Sequence, residues 1–348
     1  MTASRLGLGR RYWAARLRAW PPAPDSVDGY SLVLPVPGDL PAFLDLALRA
    51  CAAQRADHRV ETIVVPDRRT AAVTEVVGRH RATWVGPLRV VPLPPPERWL
   101  LPLLKSGSRN HGMQLIAGAS AATGSHLVLH DADLVPRRAD LLETQYEVAR
   151  ARRLACYGLS PVWDPWFAER GLRLAATWDL VAELGWLRSF SPHQHFAHDD
   201  ELLGQVHTFD TTLLPQACTA ADLIDHAGDP DTFVHFNYVI TAYRLFQRHG
   251  RGFYDDRFLI FFVSLVTELL GSRHLARGVP HPDELAGALG REDGIVVFPS
   301  GDPGGERYAA FRSKLELLLS STWLEAGAVT RARATVAAFD RHYGRSDS

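Results

Sequence analysis

The chain has 348 residues, 46% hydrophobic and 22% charged, with a formal net charge of −1. That is apolar material enough for a large core, as one elaborated domain or two close-packed lobes, while the near-neutral balance gives no reason to expect nucleic acid as a partner. Cys51, Cys156 and Cys218 lie far apart, form no metal-type pair and leave one thiol over in any disulfide scheme, which fits a reducing cytoplasm.

Residues 1–27 form a basic N-terminal segment: Arg5, Arg10, Arg11, Arg16 and Arg18 precede the first acid, Asp25, and Trp13, Leu17 and Trp20 fall at i, i+4 and i+7. Such a helix is suited to peripheral contact of residues 5–20 with the inner face of a membrane, or to packing on its own domain; both uses are open. No run reaches the roughly 18 apolar residues of a membrane span, so the protein is expected to be soluble or peripheral, in the cytoplasm that its scattered thiols suit. Pro21, Pro22 and Pro24 close the segment, because proline blocks helix continuation.

From Tyr30 the pattern alternates. Ser31–Val36 reads as a buried strand, and Leu40, Phe43, Leu44, Ala47, Leu48 and Cys51 then recur at helical spacing. Val60–Val65 is a second strand, Ala71–His80 a second helix, and Leu88–Leu93 a third strand ahead of a proline-rich loop over Pro92–Pro96. Ser108–Thr123 reads as a third helix with Gly124 as its C-terminal cap, followed by a strand over His126–Leu129. Repeated strand-helix units predict an open α/β sheet whose ligands collect at the carboxyl ends of its strands.

Beyond residue 150 come Trp163, Trp166, Trp178 and Trp186, which suit either sugar-ring platforms or a large core. Helical spacing returns after Pro280, with Tyr308, Phe311, Leu315 and Leu318 on one face and a last helix around Trp323–Phe339. The expected organisation is residues 28–150 as a strand-helix half, 151–275 as a second half of the same domain, and 276–348 as a helical extension.

The richest stretch is Leu127-Val128-Leu129-His130-Asp131-Ala132-Asp133, an apolar run that ends in two carboxylates. On an extended strand Asp131 and Asp133 would point the same way. Two carboxylates that close repel unless a cation lies between them, and a hard divalent ion with oxygen ligands, Mn²⁺ or Mg²⁺, is the natural occupant.

Upstream stand Ser108-Arg109-Asn110-His111-Gly112, Ala117, Ala121 and Gly124, and downstream stands Pro136. In this order and spacing, over roughly 30 residues, the segment resembles the family 2 glycosyltransferases of the GT-A fold, in which an "ARN-x-G" helix start precedes an alanine-rich helix, a strand and a "DxD" motif. The resemblance implies an α/β GT-A type open mixed sheet with a Rossmann-like nucleotide-binding half, flanked by helices. It implies a nucleotide-diphosphate sugar donor, bound by residues 28–150, and a carbohydrate, lipid-linked or small-molecule acceptor, bound by residues 151–275. Pro35 and Val36 match the opening strand that cradles base and ribose, and Asp67 stands where the family recognises the base. Lys105, Arg109, Asn110 and Ala132 then fall to donor binding, with Asp131 and Asp133 on the metal. Metal and cations would neutralise charge growing on the diphosphate leaving group.

An inverting transfer also needs a carboxylate to take the acceptor's proton. The family's acidic motif resembles His198-Asp199-Asp200-Glu201-Leu202, which implies Asp200, then Asp199, as base. A competing register aligns Gly252–Phe258 with a different family segment, leaving Asp255 or Asp256. Retaining relatives dispense with the base and take a third metal ligand from a histidine; His193, His195, His198 and His235 are available, His235 foremost, although its apolar setting also suits a core histidine. Rival classes are a metal-dependent hydrolase built on His193, His195 and His198, a nucleotidyltransferase, for which the glycine-rich loop is missing, and a non-catalytic scaffold of the same fold.

Overall fold

The computed structural model describes residues 11–104, 106–228, 232–235, 265 and 306–343. The chain divides into two compact units, residues 1–39, 55–131 and 140–230 in the first and 40–54, 132–139 and 231–348 in the second. The strands in chain order are β1 (Val27–Val36), β2 (Arg59–Pro66), β3 (Leu88–Val90), β4 (Gly124–His130), β5 (Leu134–Pro136), β6 (Cys156–Gly158), β7 (Asp179–Glu183), β8 (His198–Leu202), β9 (Gln205–Phe209), β10 (Ile224–His226) and β11 (Phe233–His235).

The first unit holds a seven-stranded sheet in the order β10-β6-β7-β4-β1-β2-β3. β1 lies parallel to both β2 and β4, whereas β7 runs antiparallel to β4 and β6. This is the open mixed α/β sheet expected. Central strands buried on both faces must be apolar on both, and eight consecutive residues of β1, Gly29–Val36, are buried. Helices Ala71–Arg81, Gly107–Ala121 and Leu141–Ala151 flank the sheet.

One buried acid ties the strands together. Glu61 on β2 accepts from Ser31 Oγ on β1 at 2.9 Å, Arg89 Nε on β3 at 2.6 Å, and Thr123 N and Oγ1 at 2.8 and 2.7 Å. Burial raises its pKa, but these hydrogen bonds outweigh burial and the net shift is downward.

Two expectations are corrected. The proline-rich loop expected over Pro92–Pro96 stops at Pro94, and Pro95 and Pro96 open a helix, Pro95–Leu104, since proline is tolerated in a first helical turn. Gly124 does not cap the preceding helix, which ends at Ala121; it opens β4, where a Cβ would stand 2.6 Å from Ser31 N. The N-terminal face is spent inside the protein: Trp13 and Leu17 are buried in the sheet's core and Trp20 packs against it. Trp13 meets the Phe196 ring at 5.0 Å. This placement follows the domain-packing use for Trp13, Leu17 and Trp20. Among the described residues no helix is long and apolar enough to cross a membrane.

Among the described residues the second unit has helix Pro41–Ala52, the antiparallel β5/β11 ribbon and two C-terminal helices, Glu306–Leu319 and Ala326–Tyr343. Arg137 fastens the first of these, donating to Leu317 O at 2.9 Å and Ser320 Oγ at 2.6 Å, and Trp323 Nε1 donates to Pro136 O at 2.9 Å.

Candidate active site

β4, at the centre of the sheet, ends at His130, whose buried Nδ1 lies 2.6 Å from Asp179 Oδ2. Residues 132–133 then form a turn before β5, so strand alternation does not govern Asp131 and Asp133. Each is placed by its own imidazole. In the first unit the Asp131 N–H donates to Trp178 O at 2.9 Å, and Asp131 Oδ1 lies 2.8 Å from His111 Nε2. The other nitrogen of His111 meets Thr211 Oγ1 at 3.1 Å. His111 sits in the first turns of Gly107–Ala121, which packs tightly there because a Cβ on Gly112 would stand 3.1 Å from His195 O. That packing explains the glycine of the "ARN-x-G" pattern, and His111, its variable position, went unrecognised in the sequence.

In the second unit Asp133 Oδ1 lies 3.5 Å from His235 Nε2, and both side chains are largely buried. That separation exceeds a good hydrogen bond and is within the spread of two ligand atoms sharing one ion at about 2.0–2.2 Å. Lys314, on Glu306–Leu319, carries charge toward the same carboxylate: burial lowers its pKa and Asp133 raises it, with a net downward shift. Nothing in the spacing of this helix distinguished Lys314.

At the carboxyl ends of β1 and β2, Asp67 Oδ1 accepts from Gly38 N at 2.7 Å and Asp67 N donates to Val36 O at 3.1 Å. Gln114 Nε2 bridges Val36 O and Val65 O, which holds the carboxyl ends of β1 and β2 together beside Asp67. Arg109 Nε donates to Ala197 O at 3.3 Å, and Asn110 Oδ1 is buried with no hydrogen-bond partner among the described residues. Ala132 is buried. Lys105, Asp255 and Asp256 lie outside the described residues.

Asp199 and Asp200 are exposed on the β8/β9 hairpin. Asp200 Oδ2 lies 3.3 Å from His198 Nε2, and Asp199 accepts from Thr208 Oγ1 at 2.7 Å. The three-histidine hydrolase site does not assemble. His195 is wholly buried among Trp20, Trp186 and Phe190, with Nε2 2.7 Å from Leu187 O. Burial pushes its pKa down to about 4, against a small rise from that carbonyl.

Beside the hairpin opens a cleft of about 510 Å³ bordered by Ser108, Arg109, Trp163, Asp164, His198 and Asp210. Trp163 is half exposed and stacks on Trp178 at 5.1 Å and 27°. Trp166, by contrast, is closed in by His207, stacked at 4.1 Å. Thr212, two residues after Asp210, is buried at φ +64°, a strained conformation for a β-branched residue that costs on the order of 1–3 kcal/mol.

No protein-family model matches the chain, and no curated protein does. Among solved structures the chain is similar to S. aureus TarS 1–349, at 13% identity over 90% of this chain and 89% of that one, TM-score 0.40. It is also similar to the mannosyltransferase PcManGT from Pyrobaculum calidifontis in complex with GDP-Man and Mn²⁺, at 14% identity over 99% and 97% of the two chains, TM-score 0.35. A third is glucosyl-3-phosphoglycerate synthase from Mycobacterium tuberculosis with Mn²⁺, UDP and glucosyl-3-phosphoglycerate, at 16% identity over 46% and 58%, TM-score 0.34.

Proposed function

We propose that the protein is a divalent-metal-dependent glycosyltransferase that moves a sugar from a nucleotide-diphosphate sugar to an acceptor hydroxyl with inversion. The observation that carries this reading is the Asp133–His235 pair, placed two residues after the carboxylate that ends the central strand. Carboxylate oxygens suit Mg²⁺ or Mn²⁺, and the imidazole tilts the choice toward Mn²⁺. Asp133 and His235 are the proposed ligands within the second unit, and Asp131 keeps the metal role that the family resemblance implies for it. When bound, the ion offsets negative charge on the departing diphosphate.

The protein's own groups do the rest. Pro35, Val36 and Asp67 receive base and ribose, and Arg109, Asn110, Ala132 and Lys105 serve the donor's phosphates and sugar. The orphaned Asn110 Oδ1 is an acceptor waiting for a ligand hydroxyl, because buried polar atoms are otherwise paired. Asp200 and Asp199 are the bases the family resemblance implies. Asp133 beside His235 also supports a second reading, retention with a histidine ligand, and the anomer of the product separates the two.

The test is thermal unfolding with UDP, GDP, CDP or dTDP, each with and without Mn²⁺. A nucleotide at about 100 times its Kd adds roughly 2.7 kcal/mol. One nucleotide should stabilise the protein only with metal, and Asp133→Ala should abolish that shift. A shift that survives Asp133→Ala unchanged refutes the metal assignment, and none with any nucleotide refutes the reading.

A further inference from the structure

We propose that the cleft beside the β8/β9 hairpin is the acceptor site, that it takes an uncharged saccharide, and that Asp210 rather than Asp200 receives the acceptor's proton. The inference rests on the glycosyltransferase reading above and deepens it.

Position comes first. Two routes join the cleft to Asp131 within the first unit. The floor tryptophan, Trp163, stacks on Trp178, whose carbonyl holds the Asp131 N–H at 2.9 Å. On the other side Asp131 contacts His111, which contacts Thr211, the residue next to Asp210. The cleft is thus linked through Trp178 on one side and through Thr211 and His111 on the other to the carboxylate that ends the central strand.

Chemistry selects the ligand class. A half-exposed tryptophan, stacked from behind and so held flat, offers an apolar face to the C–H side of a sugar ring. Around it stand donors (Arg109, Ser108) and carboxylate acceptors (Asp164, Asp210). Hydroxyls both donate and accept, so a polyhydroxylated ring satisfies both kinds at once. Two carboxylates against one guanidinium disfavour an anion. The volume of about 510 Å³ falls within the roughly 300–1,000 Å³ of small-molecule clefts.

Availability selects the base. Asp210 Oδ1 accepts from Thr211 N at 2.7 Å and lies 3.4 Å from Thr211 Oγ1, which fixes the carboxylate, while Oδ2 has no partner among the described residues. Asp200 spends Oδ1 on Glu201 N and Oδ2 on His198, and it does not border the cleft. In the transfer step the saccharide oxygen bonds to the donor's anomeric carbon as that carbon's bond to the β-phosphate oxygen breaks. The hydroxyl proton passes to Asp210 Oδ2, and the electron pair leaves with the diphosphate.

The experiment is a glycan-array screen of the full chain, wild type against Trp163→Ala, Trp163→Phe and Asp210→Asn, run alongside the nucleotide–Mn²⁺ unfolding assay. Expected is binding of uncharged glycans, reduced at least tenfold by Trp163→Ala, largely kept by Trp163→Phe, and changed less than threefold by Asp210→Asn. With a bound glycan as acceptor, Asp210→Asn should lower transfer at least a hundredfold and Asp200→Asn less than tenfold. Binding confined to anionic glycans, indifference to Trp163→Ala, no glycan binding despite an intact nucleotide shift, or the reverse ranking of the two asparagine variants overturns the inference. Loss of the nucleotide shift in the wild type instead condemns the parent reading.

Discussion

Replacing Glu61 by alanine tests the frame that holds the candidate site. The carboxylate is about 5% exposed and accepts from Arg89, Ser31 and both donors of Thr123 at 2.6–2.9 Å, joining β1, β2 and β3 to the residue before β4. Breaking a buried pair of this kind costs about 3–5 kcal/mol. The Arg89 side chain is 40% exposed, so water restores part of its loss, and the expectation falls to about 3–4 kcal/mol for Glu61→Ala. Glu61→Gln, which keeps the shape and loses the charge, should cost about 1–2 kcal/mol. At about 2–4 °C per kcal/mol the alanine variant should melt some 6–16 °C lower.

The pH dependence has a definite sign. Because the folded pKa is lowered, the contribution is full above the ordinary carboxylate range and is lost as pH falls through the folded value. The wild type and Glu61→Gln should therefore converge in acid. Urea and thermal unfolding followed by circular dichroism from neutral pH down to about pH 3 read both effects. A Glu61→Ala loss under 1 kcal/mol at neutral pH, or a gap that widens in acid, refutes the reasoning.

Two further outcomes follow from buried side chains. His195, with its pKa held near 4 by burial, stays neutral while the unfolded chain takes up a proton below about pH 6.5, so stability should fall as pH drops from about 6.5 to 4, by on the order of 3 kcal/mol. His195→Gln, whose amide is able to donate to Leu187 O, should remove that component in pH-resolved unfolding. Trp13→Ala should cost about 3–5 kcal/mol, because Trp13 is 5% exposed within the core, and should leave sedimentation with anionic vesicles unchanged. Strong vesicle binding that vanishes in the variant would restore the membrane use of this segment.

The alternation of apolar strands and amphipathic helices from residue 30 to 130 was legible along the chain because it is a local, periodic signal. So was the place where the central strand meets its carboxylates, since an apolar run that stops at Asp131 needs no distant partner to be noticed. Gly124 and Pro95 were misread because one residue type serves two purposes: a glycine caps a helix or lets two strands approach, and a proline breaks a helix or begins one. Only neighbours brought from afar decide which.

The site depends on such neighbours almost entirely. Asp131 is oriented by His111, and Asp133 faces His235 and Lys314, 102 and 181 residues downstream. His195 looked like a ligand in a row of histidines, and the fold buries it under three aromatic rings. Asp210 carried no motif, yet the fold sets it in the cleft with Trp163 and Arg109. Contiguous residues announce the first four strands of the sheet, two of its flanking helices and the acidic end of its central strand, because hydrophobic periodicity and strand length are local, whereas β6, β7 and β10 carry too little periodicity to be read. Which imidazole, ammonium or carboxylate faces that end was decided only by tertiary structure, because electrostatic and hydrogen-bond partners are chosen by distance in space.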